Sequence, residues 1–229
     1  MEGTMTIDDY FGDWMKVLDR NETMKIMGWV SAVNKETLCP NIKDIFKAFK
    51  LCPYNKCRVI FVGQDPYPQR GVAQGVLFGN SSDTPEDKLS PSLQVIKESV
   101  INFEIPHNLI TFDPTLESWA KQGILMINSA LTTEVGKIGV HMMKWRPFMI
   151  AFLKQMSVLN PGIIYVLFGS QAQILEPYVN KNNYVLKIEH PAYFARTNKK
   201  MPYHIWKDIN KILYDLHGER IEWFKEEKF

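Results

Sequence analysis

Four short apolar runs punctuate the chain: Cys57 to Val62 (CRVIFV), Gly123 to Asn128 (GILMIN), Gly162 to Phe168 (GIIYVLF) and Tyr184 to Glu189 (YVLKIE). They are rich in valine, isoleucine and aromatic residues. The first three are apolar almost throughout, the pattern of strands covered on both faces. Elsewhere the apolar positions take helical spacing. Ser90-Pro91-Ser92 ahead of LQVIKESV reads as a helix start with proline in the first turn. Phe148, Phe152, Leu153 and Met156 mark a helix within Trp145 to Met156. Ile205, Ile209, Ile212, Leu213 and Leu216 mark another from Tyr203 to His217, with Gly218 as its stop. Helices are also expected around Tyr10 to Leu18 and Ile42 to Phe49. Strands alternating with helices predict one α/β domain over residues 1–229, a four-stranded, mainly parallel sheet flanked by helices.

Composition agrees with that picture. The chain has 229 residues and is 45% hydrophobic, enough for one sizeable core and too apolar for a disordered chain. Lys and Arg total 27 against 25 for Asp and Glu, a net charge of +2. That balance does not mark a nucleic-acid surface, which must come from local clustering. No apolar run approaches the length of a bilayer span, so no membrane partner is expected. Glu2, Asp8 and Asp9 replace the basic-then-apolar start of a targeting segment, which predicts a cytoplasmic protein, or a nuclear one in a eukaryote. Three cysteines, Cys39, Cys52 and Cys57, close no disulfide framework and read as reduced packing thiols.

In parallel α/β sheets, ligands bind outside the carboxyl ends of the strands. The first run is followed by Gly63, Gln64, Asp65, Pro66, Tyr67 and Pro68, and the second ends in Asn128. The third leads into Gly169, Ser170 and Gln171, and the fourth into His190, Pro191, Ala192, Tyr193 and Phe194. This topology can bring Asp65 and His190 to one crevice despite their separation in sequence. The phosphate-binding patterns GxxxxGK[ST] and GxGxxG are absent, so no nucleotide cofactor is expected. The histidines 107, 141, 190, 204 and 217 lack metal-ligand spacing, and no metal is expected. Plainer readings stand beside the catalytic ones. An aspartate in a proline-rich turn commonly bonds its own backbone. His190 before Pro191 suits a capped loop, and Tyr67 and Phe78 suit core packing. Asn128 is less ordinary, because a carboxamide ending an apolar strand offers one acceptor and two donors to an amide-like ligand edge.

The local wording goes further. GQDPYP after one strand and HPAYF after another resemble the uracil-DNA glycosylases that carry the GQDPY water-activating loop. The resemblance extends through Gly75 to Phe78, Pro91-Ser92-Leu93, Trp119 to Gly123 leading to Asn128, Leu131-Thr132, Gly169-Ser170, Ala172-Gln173 and Ile221-Glu222-Trp223. It implies hydrolysis of the uracil–deoxyribose bond without a cofactor, leaving an abasic site for base-excision repair. Asp65 would activate water, and His190 would donate to uracil O2 as negative charge builds there. Asn128 would read the base edge, Tyr67 would exclude a C5 methyl, Phe78 would stack, and Gln64 would add pocket contacts. The base must first leave the stack. Phe194 would fill the vacated space as an apolar wedge. Ser92 and Ser170 would contact phosphates, with Arg196 reaching the backbone or forming a solvated loop. The implied partners are uracil-containing DNA, single- or double-stranded, and a proteinaceous glycosylase inhibitor, with the protein itself a monomer. Pro68, Gln74, Ala192 and Ala195 depart from the family pattern, which predicts intact chemistry with altered phosphate clamping. Three other readings compete: a relative acting on a C5-modified uracil, a DNA-binding accessory protein that keeps the fold, and a metal hydrolase, which loss of activity in chelator would mark.

Overall fold

A computed structural model describes residues 6–227. Glu2, part of the N-terminal targeting argument, lies outside the described residues. The four apolar runs form strands β1 (Val59–Gly63), β2 (Ile124–Asn128), β3 (Ile164–Phe168) and β4 (Tyr184–Ile188). Their order in the sheet is β2-β1-β3-β4, and every neighbouring pair is parallel. Gly63 pairs in register with Asn128, and Phe168 with Ile188, so the four carboxyl ends emerge along one edge. Every residue of β1, β2 and β3 is buried, while the edge strand β4 is half-exposed, which matches its more polar sequence. Among the described residues antiparallel pairing is confined to two minor ribbons, Leu38–Cys39 with Thr133–Glu134 and Ile110–Thr111 with Lys225–Glu226.

The period of two along each strand sends alternate side chains to opposite faces. Ile60, Val62, Leu125, Ile127, Tyr165 and Leu167 face one apolar cluster with Trp14, Phe49, Trp145 and Phe152. Val59, Phe61, Ile124, Met126, Ile164, Val166 and Phe168 face the other, with Leu93, Ile96, Trp119, Trp206 and Trp223. The covering helices are α1 (Arg20–Ala32), α2 (Pro91–Phe103), α3 (Met142–Leu159), α4 (Pro191–Thr197) and α5 (His204–His217). Gly218 ends α5 in the left-handed conformation, as the spacing predicts.

The first fifty residues differ from expectation. The stretch from Tyr10 to Leu18 is split into a short helix, Ile7–Phe11, and a 3-10 turn, Gly12–Lys16. The stretch from Ile42 to Phe49 is likewise a 3-10 turn, Ile42–Asp44, followed by the short helix Lys47–Leu51. Helix α1 has no strong sequence signal, because only Thr23, Ile26 and Val30 are buried along it. Its clearest mark is Asp19, whose side chain accepts the Glu22 N–H at 2.9 Å as an N-cap. All three cysteines are buried free thiols. Among the described residues no helix is long and apolar enough to cross a membrane.

Candidate active site

The strand exits converge on a cavity of about 150 Å³ lined by Asp65, Tyr67, Phe78, Ser92, Asn128 and His190, with apolar walls from Val76, Leu77 and Met126. The β1 and β2 exits are tied to each other. Ser129 donates its N–H to the Gly63 carbonyl at 2.9 Å and its hydroxyl to the Gln64 carbonyl at 2.7 Å. The Ala130 N–H donates to the same Gln64 carbonyl at 3.1 Å. A Cβ on Gly63 would lie 2.3 Å from Leu77 Cδ1 and 2.7 Å from Asn128 Oδ1, so both side chains would have to shift. Its absence lets the carboxamide and the cavity wall close over the strand end.

Asp65 is half-buried, and its Oδ2 accepts the Gly139 N–H at 2.5 Å. Among the described residues this is the carboxylate's one hydrogen bond, which leaves acceptor capacity facing the cavity. Burial pushes its pKa above the ordinary carboxylate range, partly opposed by the Gly139 N–H. The Asn128 Oδ1 is buried without a hydrogen-bond partner among the described residues. Leaving such an acceptor unmet costs about 1–3 kcal/mol, so the site favours a ligand that supplies a donor.

His190 caps α4, and its Nδ1 accepts the Ala192 N–H at 3.2 Å. The neutral imidazole therefore carries its proton on Nε2, free to donate. Burial, and after it the Arg196 charge, lower its pKa to about 4. Gly169 passes so close that a Cβ there would sit 2.9 Å from the His190 Cβ. The Phe78 ring meets His190 and Phe168 edge-on, with centroids 5.4 Å and 5.1 Å away. Phe78 has φ +64°, a left-handed conformation that costs a side-chain-bearing residue on the order of 1–3 kcal/mol. The flanking bonds from Leu77 N–H to the Met126 carbonyl and from Gly79 N–H to the Val76 carbonyl, both 3.1 Å, hold it there. The Tyr67 hydroxyl lies 2.7 Å from Ser90 Oγ and 3.4 Å from the Phe78 carbonyl, and burial pushes its pKa up to about 12.

Four expected site residues lie apart from the cavity. Gln64 contributes its carbonyl to the β1–β2 tie, and its side chain does not line the cavity. Ser170 is exposed at the start of the short helix Ser170–Gln173, and Arg196 is exposed near the end of α4. Phe194, expected at the surface as a wedge, is 7% exposed and packed in the core beside Ile188. The physical reason is the helix itself: one turn after Pro191, position 194 of α4 points inward, and Tyr193 is the half-exposed aromatic. Sequence reasoning passes over two contributors, Gly139 and Ser90. The only local signal for Gly139 is its loop, where Gly136 and Gly139 both have positive φ.

The fold is α/β with a cavity at the strand exits, and the family comparison gives the class, a DNA glycosylase. The model of the Uracil DNA glycosylase superfamily matches residues 49–213, from ahead of β1 into α5. The chain belongs to that superfamily. It is 36% identical over 186 residues to a uracil-DNA glycosylase of Mycoplasmopsis pulmonis, covering 80% of this chain and 81% of the relative. It is 30% identical over 226 residues to a uracil-DNA glycosylase of Fusobacterium nucleatum, covering 94% and 96%. The crystal structure of mimivirus uracil-DNA glycosylase shares the fold, with TM-score 0.73 and 23% identity over 95% of this chain and 91% of that one. A variant of that viral protein, solved in complex with UGI, superimposes equally well, with TM-score 0.73.

Proposed function

We propose that the protein hydrolyses the N-glycosidic bond of deoxyuridine in DNA, releasing uracil and leaving an abasic site that initiates base-excision repair. The carrying observation is one cavity that joins an Asn128 Oδ1 with no partner among the described residues, the Nε2–H of a neutral His190 and the Asp65 carboxylate, which has one hydrogen bond among them. Water attacks C1′ of the sugar as the bond to N1 breaks, and its proton passes to Asp65. The electron pair leaves with the base as a uracil anion, to whose O2 His190 donates. A neutral donor aimed at developing charge acts as an oxyanion hole does, typically worth about 10²–10³ in rate. Stabilising the anion replaces the second carboxylate that sugar hydrolases use.

Base choice follows from the same groups. Asn128 Oδ1 accepts from N3–H and Nδ2 donates to O4, whereas cytosine presents the reverse pattern and leaves polar groups unpaired. Tyr67 blocks the space beside C5, and Phe78 stacks on the ring. Ser92, buried at the cavity wall, meets the phosphate beside the flipped nucleotide, with Ser170 and Arg196 engaging the backbone further out. Phe194 acts as the wedge only if α4 turns it out of the core on DNA binding. The unit acts as one monomeric catalytic domain on single- or double-stranded DNA, and a UGI-type inhibitor protein is the further partner this reading implies.

The test is a single-stranded oligonucleotide with one deoxyuridine, incubated in chelator and then cleaved with alkali, with free base quantified. Cleavage and free uracil from that strand, and neither from a thymine-containing control, are expected. A band shift without product would instead make this a DNA-binding accessory protein. Activity lost in chelator would contradict the mechanism drawn from side chains and water.

A further inference from the structure

We propose that Ser90 is a positioning residue that sets how strictly the cavity excludes substituents at C5 of the base, by tethering Tyr67. The inference rests on the uracil-excising reading above. Tyr67 is a partition: one side lines the 150 Å³ cavity, and the other lines a second hollow of about 320 Å³, shared with Asn80, Lys88 and Ser90. The hollow gives the ring space to retreat into when its hydroxyl is not held. The tether is the 2.7 Å hydrogen bond between Ser90 Oγ and the Tyr67 hydroxyl.

Ser90 is placed to hold rather than follow. It occupies the N-cap position of α2, where a serine ordinarily bonds its own helix, yet its hydroxyl makes no cap bond. That hydroxyl is turned to Tyr67 instead. Its backbone N–H donates to Asn80 Oδ1 at 2.9 Å, and Asn80 is buried with its own N–H on the Pro114 carbonyl at 2.8 Å. The Ser90 and Tyr67 hydroxyls share this bond, in which either can donate, and the Tyr67 hydroxyl also reaches the Phe78 carbonyl at 3.4 Å, so one chain links the three groups. The chain ties the C5 wall to the strained residue that stacks on the base.

The experiment compares excision of uracil, 5-fluorouracil, 5-bromouracil and thymine from otherwise identical oligonucleotides, using wild type, Ser90→Ala, Ser90→Thr, Tyr67→Phe and the Ser90→Ala/Tyr67→Phe double variant. Comparing variants on one substrate cancels the effect of each substituent on the leaving group. Losing one neutral hydrogen bond should lower the preference for uracil over 5-bromouracil by about fivefold in Ser90→Ala. Tyr67→Phe, which keeps the ring and loses both the tether and the Phe78 contact, should lower it at least as far, the double variant should match Tyr67→Phe, and Ser90→Thr should restore discrimination. A Ser90→Ala protein that slows all four substrates equally, or additive single effects, would overturn the tether. A wild-type protein inactive on uracil would overturn the activity reading as well, whereas an active wild type with an unchanged ratio in Ser90→Ala overturns the tether alone.

Discussion

The cavity and its rim are built in different ways. Asp65, Asn128 and His190 stand at the exits of parallel strands whose register brings them together. Each is held by a second element: Gly139 for Asp65, the Gly63 approach for Asn128 and the α4 cap for His190. Ser170 and Arg196 instead sit exposed on short helices outside the cavity. Under the proposed function, chemistry would thus depend on the sheet, and DNA grip on local segments that can change without disturbing it. The departures from the family pattern cross this division: Pro68, Gln74 and Ala192 line the same cavity in which Asp65, Asn128 and His190 are retained.

Substitutions can break that contrast, and the largest effect belongs to the cavity. Asp65→Asn should lower the single-turnover excision rate by about 10²–10⁴ while keeping affinity for uracil-containing DNA. A comparable loss of affinity would make Asp65 a structural residue. Phe194→Ala tests which side of the division α4 belongs to. With Phe194 in the core it should cost about 3–5 kcal/mol in chemical denaturation. Tyr193→Ala, at a half-exposed site, should cost far less, and similar stabilities for the two would contradict the inward orientation of Phe194. Asn128→Asp should narrow the preference for uracil over cytosine by about tenfold or more, read from paired oligonucleotides. The smallest effect belongs to the rim: Arg196→Ala should flatten the plot of log affinity against log salt by about 0.7–0.9. It should also raise the His190 pKa, because the Arg196 charge helps hold it down.

Much of this was legible in the chain. Period and composition locate all four strands to within two residues, and the strand exits point to Asp65, Asn128 and His190. Those signals are local, and parallel register does the rest. What stays hidden is non-local or weakly patterned. Helix α1 buries too few apolar side chains to show a stripe, and the Tyr10 to Leu18 stretch is cut at Gly12. The bond from Gly139 to Asp65 joins residues that no spacing relates. Phe194 matches a motif position, but its burial depends on where the helix phase of α4 puts it against the sheet. Ser90 reads as an ordinary helix cap, and only the coordinates place its hydroxyl on Tyr67.

The protonation of His190 joins fold to chemistry most directly, because the mechanism needs an imidazole that is neutral and protonated on Nε2 while it works. An ¹⁵N NMR titration of the free protein reads both properties together. The folded-state pKa lies below the ordinary value of about 6.5. As pH falls, the unfolded chain therefore takes up this proton before the folded one, and the folded imidazole stays neutral until the pH approaches about 4. Excision should fall there as the donor becomes charged. The expected spectrum shows an Nε2–H tautomer with a midpoint near 4. A midpoint near 6.5, or a proton on Nδ1, would contradict the assignment of His190 as the neutral donor to the departing base.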